Sequence, residues 1–441
     1  MYVGCFAVSF YRITGNHRLS GSVTVQGAKN SVLPILASCL LVRGQCVLHR
    51  CPLLSDVQAA LKILVRLGCV CVWDDETVIV DAREVACCEI PQELMSKMRS
   101  SVMFLGAILA RMGKAVISAP GGCELGPRPI DLHISALEKL GTNFECRDEI
   151  LTATAPKGLI GNRIFLRFSS VGATDNVLIA AVTAKGTTVI ENAAREPEIS
   201  DLADFLNACG AKVSGAGSST ITVVGVARLY PTEFRVMPDR IAATTWLACA
   251  AVTNGDVCLK ETVPAHMVQT LRLFEKAGCR VAVSPGEIRL IATERPRPVT
   301  SVVTRVYPGF PTDAAPVCVP LLCLADGVSR VRETIFENRF RYIEQLGRFG
   351  ANYRIESREL TVFGVEHFTG CECECTDLRG GAALLVAALA AEGESRVEKI
   401  DHVKRGYFHP VEILQSIGAN ITEVENGTDE TQKTPPASQA S

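Results

Sequence analysis

The residues whose types and spacing could do chemistry lie in Ala119-Pro120-Gly121-Gly122-Cys123-Glu124-Leu125-Gly126-Pro127-Arg128-Pro129, a cysteine framed by glycines and prolines with an arginine five residues on. Three glycines and three prolines in eleven residues oppose a regular helix or strand, since glycine opens left-handed dihedrals and proline removes a backbone donor. The stretch reads as a mobile loop that presents the Cys123 thiol to solvent and substrate. A nearby guanidinium such as that of Arg128 favours the thiolate over an ordinary pKa of about 8.5, so the thiol can serve as acid, base or nucleophile. Most free cysteines behave as small buried hydrophobes, and the chain has 19 of them; the loop context sets Cys123 apart.

A second set of polar residues stands at the N-terminal ends of six apolar helical segments: Lys29-Asn30, Arg99-Ser100, Ser169-Ser170 with Gly172, Asp239-Arg240, Thr312-Asp313, and Asp377 with Arg379. A helix N-terminus offers unpaired amides and the positive end of a dipole, so six such ends around one cleft would make a strong anion site. Taken singly, Ser170 or Asp377 reads equally well as an ordinary cap.

The elements that must position these residues follow a repeat. A glycine closes an amphipathic helix and opens an extended stretch at Gly68, Gly141, Gly210, Gly278, Gly350 and Gly418, at intervals of 68 to 73 residues. A second series, Gly44, Gly113, Gly186, Gly255, Gly327 and Gly393, ends an apolar helix and precedes a short strand. One unit therefore reads helix, strand, helix and a two-stranded hairpin, six times over. The first helix of each unit is apolar nearly all round and so is buried. Three units per domain give two α/β domains with the cleft between them.

Composition narrows the class. With 441 residues, 48% hydrophobic and a net charge of −2, the chain has ample core and no overall attraction to nucleic acid or an anionic membrane. The cysteines are odd in number, form no Cys-x-x-Cys pair and follow no secretory leader, which fits reduced thiols in a cytoplasm. No apolar run reaches the roughly 18 residues a spanning helix needs. Met1 to Phe10 reads as a flexible lead-in to the first strand, and residues 425–441, polar and rich in Pro, Thr and Ser, as a disordered tail.

Gly27-Ala28-Lys29-Asn30, the Cys123 loop through Asp131-Leu132-His133, Ser170-Val171-Gly172-Ala173-Thr174 and Glu191-Asn192-Ala193-Ala194-Arg195-Glu196-Pro197-Glu198 share an order with known proteins. So do Pro238-Asp239-Arg240-Ile241, Phe310-Pro311-Thr312-Asp313, Phe336-Glu337-Asn338-Arg339-Phe340 and Asp377-Leu378-Arg379. Over residues 10 to 424 the chain resembles the enolpyruvyl transferase family, in particular its members acting on UDP-N-acetylglucosamine. The resemblance implies two inside-out α/β domains of three repeats each, a first domain over residues 29–236 with the Cys123 lid, and a second over residues 1–28 plus 237–424. It implies transfer of an enolpyruvyl group from phosphoenolpyruvate to the sugar 3-hydroxyl at the first committed step of peptidoglycan synthesis, without cofactor or metal. The shikimate-pathway transferase and a non-catalytic sugar-nucleotide-binding paralogue are the alternatives; the Cys123 loop and Gly-Ala-Lys-Asn argue against the first.

Phosphoenolpyruvate carries a phosphate and a carboxylate, so its site needs fixed cations, guanidinium forks above all. The resemblance supplies Lys29, Arg128 and Arg405, with Asn30 as a neutral donor; Arg405 otherwise reads as a surface salt-bridge partner beside Asp401. By the same resemblance Cys123 gives the proton to the methylene carbon and can form an adduct with the substrate or with the epoxide fosfomycin. Asp313 faces the sugar hydroxyl, a role it could combine with capping a helix. Arg99, Arg128, Pro129, Ile130, Asp131, Leu132, Phe168, Ser169, Ser170, Val171, Gly172 and Ile335 fall on the nucleotide side, and Arg195, Asp239, Arg240, Arg339 and Arg379 on domain and cleft architecture. Oligomeric state is left open between monomer and weak homo-oligomer.

Three stretches depart from the family pattern, all in the second domain. Ala242-Ala243-Thr244-Thr245 replaces an acidic residue and a Gly-Thr pair, Ala314-Ala315-Pro316-Val317 loses two amides, and Gly380-Gly381 replaces alanine-like residues. Cys371, Cys373 and Cys375 alternate with glutamates and share one strand face, but no second ligand cluster accompanies them, so a metal site is not the favoured reading.

Overall fold

The computed structural model describes residues 9–118 and 130–425, apart from the side chains of Lys97, Arg99 and Ser100. The Cys123 loop, with Arg128 and Pro129, lies outside the described residues, as do residues 1–8 and 426–441.

Six helices that are apolar on nearly every side form the interior: Lys29–Cys39, Phe104–Met112, Val171–Ala181, Arg240–Val252, Ala315–Cys323 and Leu378–Ala390. All thirteen residues of Arg240–Val252 and all nine of Ala315–Cys323 are buried, as an all-round apolar helix requires. Around them stand six four-stranded sheets whose strands alternate buried and exposed residues, one pleat face on the helices and one on solvent. Buried apolar side chains form two clusters, one running from Val32 to Val236 and the other from Ile241 to Ile421 with Tyr11 to Val25. The two α/β halves thus keep helices inside and sheets outside.

All six glycines of the first series sit in the left-handed region, with φ between 91° and 105°, where a side chain would be strained. Each stops an amphipathic helix and turns the chain into a strand. The repeat has one further part, a fourth strand of two to five residues that pairs in parallel with the first strand of a unit. Glu89–Ile90 pairs with Lys114–Ser118, Arg163–Phe165 with Thr187–Glu191, and Glu233–Arg235 returns to Gln45–His49, closing the first half on itself. In the second half Val302–Val303, Glu372–Glu374 and Ser20–Thr24 do the same. Such short strands carry no period of their own, so the sequence does not announce them.

The sixth unit corrects the expected hairpin. After Gly418 comes one strand, Asn420–Glu425, and its antiparallel partner is Ser9–Thr14, which also pairs with Glu394–Glu398. Glu425 therefore belongs to a strand, opposite Ser9, rather than to a tail, and Ser9 and Phe10 belong to the first strand rather than to a lead-in.

Two segments cross between the halves side by side. Ala28 N donates to Met237 O and Asp239 N to Gln26 O, making an antiparallel strap of residues 25–28 and 236–239. Gly27 is required there, since a Cβ would stand 1.8 Å from the Arg50 carbonyl oxygen.

Candidate active site

The N-terminal ends of four of the six buried helices are joined by hydrogen bonds. Asp239 caps Arg240–Val252 by accepting from Ile241 N and Ala242 N, and its other oxygen accepts from Lys29 N at 3.3 Å, which binds the start of the first helix to the fourth. Asp377 caps Leu378–Ala390 through Arg379 N and Gly380 N. Arg379, the second residue of that helix, reaches Asp313 just ahead of Ala315–Cys323. Thr245 Oγ1 meets the Tyr407 hydroxyl at 2.8 Å, and Arg379 Nη1 donates to the same hydroxyl at 3.1 Å, completing the connection. Ser170 is the cap of Val171–Ala181, and the helix Phe104–Met112 is entered through a tight 3-10 turn over Arg99–Met103.

Two charge clusters result. In the first, Lys29 Nζ lies 2.7 Å from Asp56 Oδ2, and Arg405 grips the same carboxylate as a fork, Nε at 2.9 Å from Oδ1 and Nη2 at 3.2 Å from Oδ2. Asp56 is 3% exposed, so this is an interior ion triad bringing together residues 349 positions apart. Burial pulls the Lys29 ammonium below its ordinary pKa, and the Asp56 carboxylate opposes that fall. Burial alone would raise Asp56, but Lys29 and Arg405 outweigh it and hold the carboxyl below its usual range. Arg405 is thus no surface partner of Asp401.

The second cluster surrounds Asp313, whose side chain keeps 31% of its surface open. Arg339 Nη2 donates to Asp313 Oδ1 at 2.8 Å and to Thr312 O at 3.0 Å, while Arg379 Nη2 lies 3.5 Å from Oδ2. Asp313 is not the N-cap of the following helix Ala315–Cys323; the cap position is Ala314, which has no side-chain acceptor. Its oxygens are taken by guanidinium groups instead. Glu333, buried, fixes the surroundings: it accepts from Thr312 Oγ1 and from the amides of Ile335 and Phe336, tying the segment before Asp313 to the one bearing Ile335. The clusters sense each other, since Arg405 and Arg379 both press the Lys29 pKa down.

Asn30 is exposed at the second position of its helix. Ile130 and Leu132 are partly buried and Asp131 is exposed, accepting from Arg167 Nη2. Next to them Gly172 lies against His133, whose Cε1 would stand 3.2 Å from an added Cβ; His133 is bonded to Asn176 and burial pushes its pKa down to about 4. Phe168 is exposed, Ser169, Val171 and Gly172 are partly buried, and Ser169 donates to Ala193 O. Cys123, Arg128 and Pro129, and the Arg99 side chain, fall outside the described residues. Arg240 makes a buried fork on Glu198 at 3.0 and 3.2 Å, spanning the strap, and Arg195 Nε reaches Gly217 O.

Sequence reading missed Asp56, Glu333 and the grip of Arg339 and Arg379 on Asp313. Asp56 left a signal: with Ala60 and Ile63 it occupies the i, i+4, i+7 positions of the buried stripe of helix Ser55–Arg66, where an unpaired carboxylate would be costly. Of the departures from the family pattern, Gly381 has a local account, because an added Cβ would sit 2.8 Å from Cys375 Sγ, and one at Gly380 would sit 2.7 Å from Tyr342 Cβ. Thr244 turns its hydroxyl onto Arg240 O within its own helix. Nothing in the structure explains Ala314 to Val317.

Among the described residues no group of His, Cys, Asp and Glu is arranged to hold a metal ion, and no helix is long and apolar enough to cross a membrane. Residues 13–414 match the family model described as EPSP synthase (3-phosphoshikimate 1-carboxyvinyltransferase). The chain is 45% identical over 416 residues to UDP-N-acetylglucosamine 1-carboxyvinyltransferase 2 of Caldanaerobacter subterraneus subsp. tengcongensis, covering 94% of this chain and 99% of the relative. It is 45% identical over 410 residues to UDP-N-acetylglucosamine 1-carboxyvinyltransferase of Finegoldia magna, covering 92% and 97%. Its backbone superposes on the enolpyruvyl transferase NikO of Streptomyces tendae with a TM-score of 0.86 at 25% identity, over 95% of this chain and 99% of that one. With EPSP synthase of Acinetobacter baumannii it shares the fold, at a TM-score of 0.72 and 18% identity over 95% and 100% of the two chains.

Proposed function

The chain belongs to the UDP-N-acetylglucosamine 1-carboxyvinyltransferases of the enolpyruvyl transferase family, and from that premise we propose how its residues divide the reaction. It transfers the enolpyruvyl group of phosphoenolpyruvate to UDP-N-acetylglucosamine with release of phosphate, in peptidoglycan synthesis. The observation that carries the division of labour is the pair of charge clusters, one rich in cations and closed, the other built on a carboxylate left partly open to solvent.

Lys29 and Arg405, with Arg128 from the loop and Asn30 as a neutral donor, receive phosphoenolpyruvate. The phosphate takes over hydrogen bonds that Asp56 now accepts, and Asp56 keeps the triad assembled before substrate arrives. Asp313 takes the proton of the sugar 3-hydroxyl as that oxygen bonds to the substituted enol carbon. Cys123 gives a proton to the methylene carbon, yielding a tetrahedral adduct in which phosphate is still attached. Return of one methyl proton to the enzyme and rupture of the carbon–oxygen bond to phosphate then restore the double bond. Arg339 and Arg379 hold Asp313 in place. Arg99, Arg128 to Leu132, Phe168 to Gly172 and Ile335 line the nucleotide side. Residues 29–236 form one domain and residues 1–28 with 237–424 the other, and the enzyme works in the cytoplasm.

The assembly of both clusters favours this over a non-catalytic paralogue. The test is phosphate release from phosphoenolpyruvate with UDP-N-acetylglucosamine, set against shikimate 3-phosphate: turnover with the sugar nucleotide alone is expected, and none, with nucleotide binding intact, sinks the reading. Fosfomycin in saturating sugar nucleotide should leave a single covalent mass adduct on Cys123; an unmodified Cys123 peptide overturns the loop assignment.

A further inference from the structure

The segment Arg405-Gly406-Tyr407-Phe408 serves both charge clusters at once. Arg405 grips Asp56 on the phosphate side, and the Tyr407 hydroxyl accepts from Arg379, which reaches Asp313 on the other. Tyr407 is buried, edge-on to Trp246 with ring centroids 5.6 Å apart, and the Arg379 guanidinium lies 5.5 Å from its ring centre. At Gly406 the segment packs closely on Leu378, whose Cδ1 would stand 2.7 Å from an added Cβ and would have to shift. Arg405, partly buried, begins this fixed segment.

What holds that shoulder is Gln26, on the strap between the halves. Gln26 is buried, and its amide is used at both ends: Nε2 donates to Gly406 O at 3.1 Å and Oε1 accepts from Phe408 N at 2.9 Å. The partners fix which atom is nitrogen and which oxygen, since one side offers a carbonyl and the other an amide. The strap that carries Gln26 also carries, three residues on, Lys29, and it is itself pinned by Arg50 Nη2 on the Val25 carbonyl. So two of the phosphate-side cations are mounted on one frame, Lys29 through the chain and Arg405 through the Gln26 amide.

We infer that Gln26 is a positioning residue for phosphoenolpyruvate binding, setting the reach of Arg405 relative to Lys29 by clamping the Gly406–Phe408 backbone to the interdomain strap. This rests on the assignment of Arg405 as a phosphate ligand. A frame of this kind acts on the affinity for the phosphorylated substrate and leaves the hydroxyl-side chemistry alone, because Tyr407 is held separately by Thr245 and Arg379.

The test is steady-state kinetics of Gln26→Leu, which keeps the shape and loses both hydrogen bonds, beside Gln26→Glu, Arg405→Ala and the Gln26→Leu/Arg405→Ala double variant, each with its melting temperature. Gln26→Leu should raise KM for phosphoenolpyruvate roughly tenfold, the worth of two neutral hydrogen bonds. KM for the sugar nucleotide and kcat should change less than about threefold. Gln26→Glu keeps the acceptor for Phe408 N but sets a carboxylate oxygen against Gly406 O, so its KM for phosphoenolpyruvate should fall towards wild type as the carboxyl protonates at lower pH. In the Arg405→Ala background the Gln26→Leu effect should vanish. Equal changes in both KM values, or a lowered melting temperature with unchanged KM for phosphoenolpyruvate, overturn the inference. So does a Gln26→Leu effect that persists without Arg405. If Arg405→Ala itself leaves KM for phosphoenolpyruvate unchanged, it is the ligand assignment that fails.

Discussion

The two charge clusters are built from the same parts in opposite proportion to solvent. Asp56 is 3% exposed, with Lys29 buried beside it and the Arg405 side chain 23% exposed, whereas the Asp313 side chain is 31% exposed and its two guanidinium groups are buried at 3% each. In the first the carboxylate is the fixture and the cations are the working groups; in the second the cations are the fixture and the carboxylate works. The contrast lies in the carboxylates, since Lys29 is itself only 7% exposed: the sealed Asp56 cannot meet a substrate while Asp313 keeps an open face, and each buried charge is tolerable because it is paired. The same ion pair therefore serves as a binding site or as a base according to which member faces the cleft.

The difference can be broken by substitution. Asp313→Asn keeps the shape and removes the base, so kcat should fall by about 10² to 10⁴ with KM for phosphoenolpyruvate little changed. A rise in KM without loss of kcat would make Asp313 a binding group and erase the contrast. Asp56→Asn should act more weakly, and through pH. Asp56 is what opposes the burial that lowers the Lys29 pKa, so without it Lys29 loses its proton at lower pH. The charged ammonium is the form that holds phosphate, and the alkaline limb of kcat/KM for phosphoenolpyruvate should move towards neutrality. A limb that stays in place, or moves to higher pH, contradicts the role given to Asp56.

The smallest effect tests the mounting of Arg379. Gly381→Ala drives a Cβ against Cys375 Sγ at 2.8 Å and should cost about 1 to 3 kcal/mol in urea unfolding, with only a minor loss of turnover. Adding Cys375→Ala should recover part of it; a Gly381→Ala protein as stable as the parent would show that the helix end has slack.

The glycine series made the repeat legible, because a left-handed stop is a demand on one residue type at one place, and all six stops are where the sequence puts them. The fourth strands were not legible, since Val302–Val303 or Glu89–Ile90 is too short to show alternation and its partner belongs to the following unit. Lys29, Arg405 and Asp313 were named through the family resemblance, while their hydrogen-bonded ties were not legible. Asp56, in the first turn of an amphipathic helix, and Glu333 went unremarked, because burial of a carboxylate is a property of the packed chain and not of its neighbours in sequence. The expectation that Asp313 caps a helix failed for the same reason: two arginines from 26 and 66 residues away outbid the local amides.

The pairing of Ser9–Thr14 with Asn420–Glu425 sets an order of events during synthesis. Residues 29–236 contain every strand their three sheets need and can close while the ribosome is still translating the rest. The Ser9–Thr14 strand must wait for partners some 400 residues later, roughly 20 to 80 s at 5–20 residues per second. Through that interval a half-apolar strand is without its ladder, so the second half, although its first residues are made earliest, is the last to be finished, and a chaperone that shields one short segment would protect that half from mispairing.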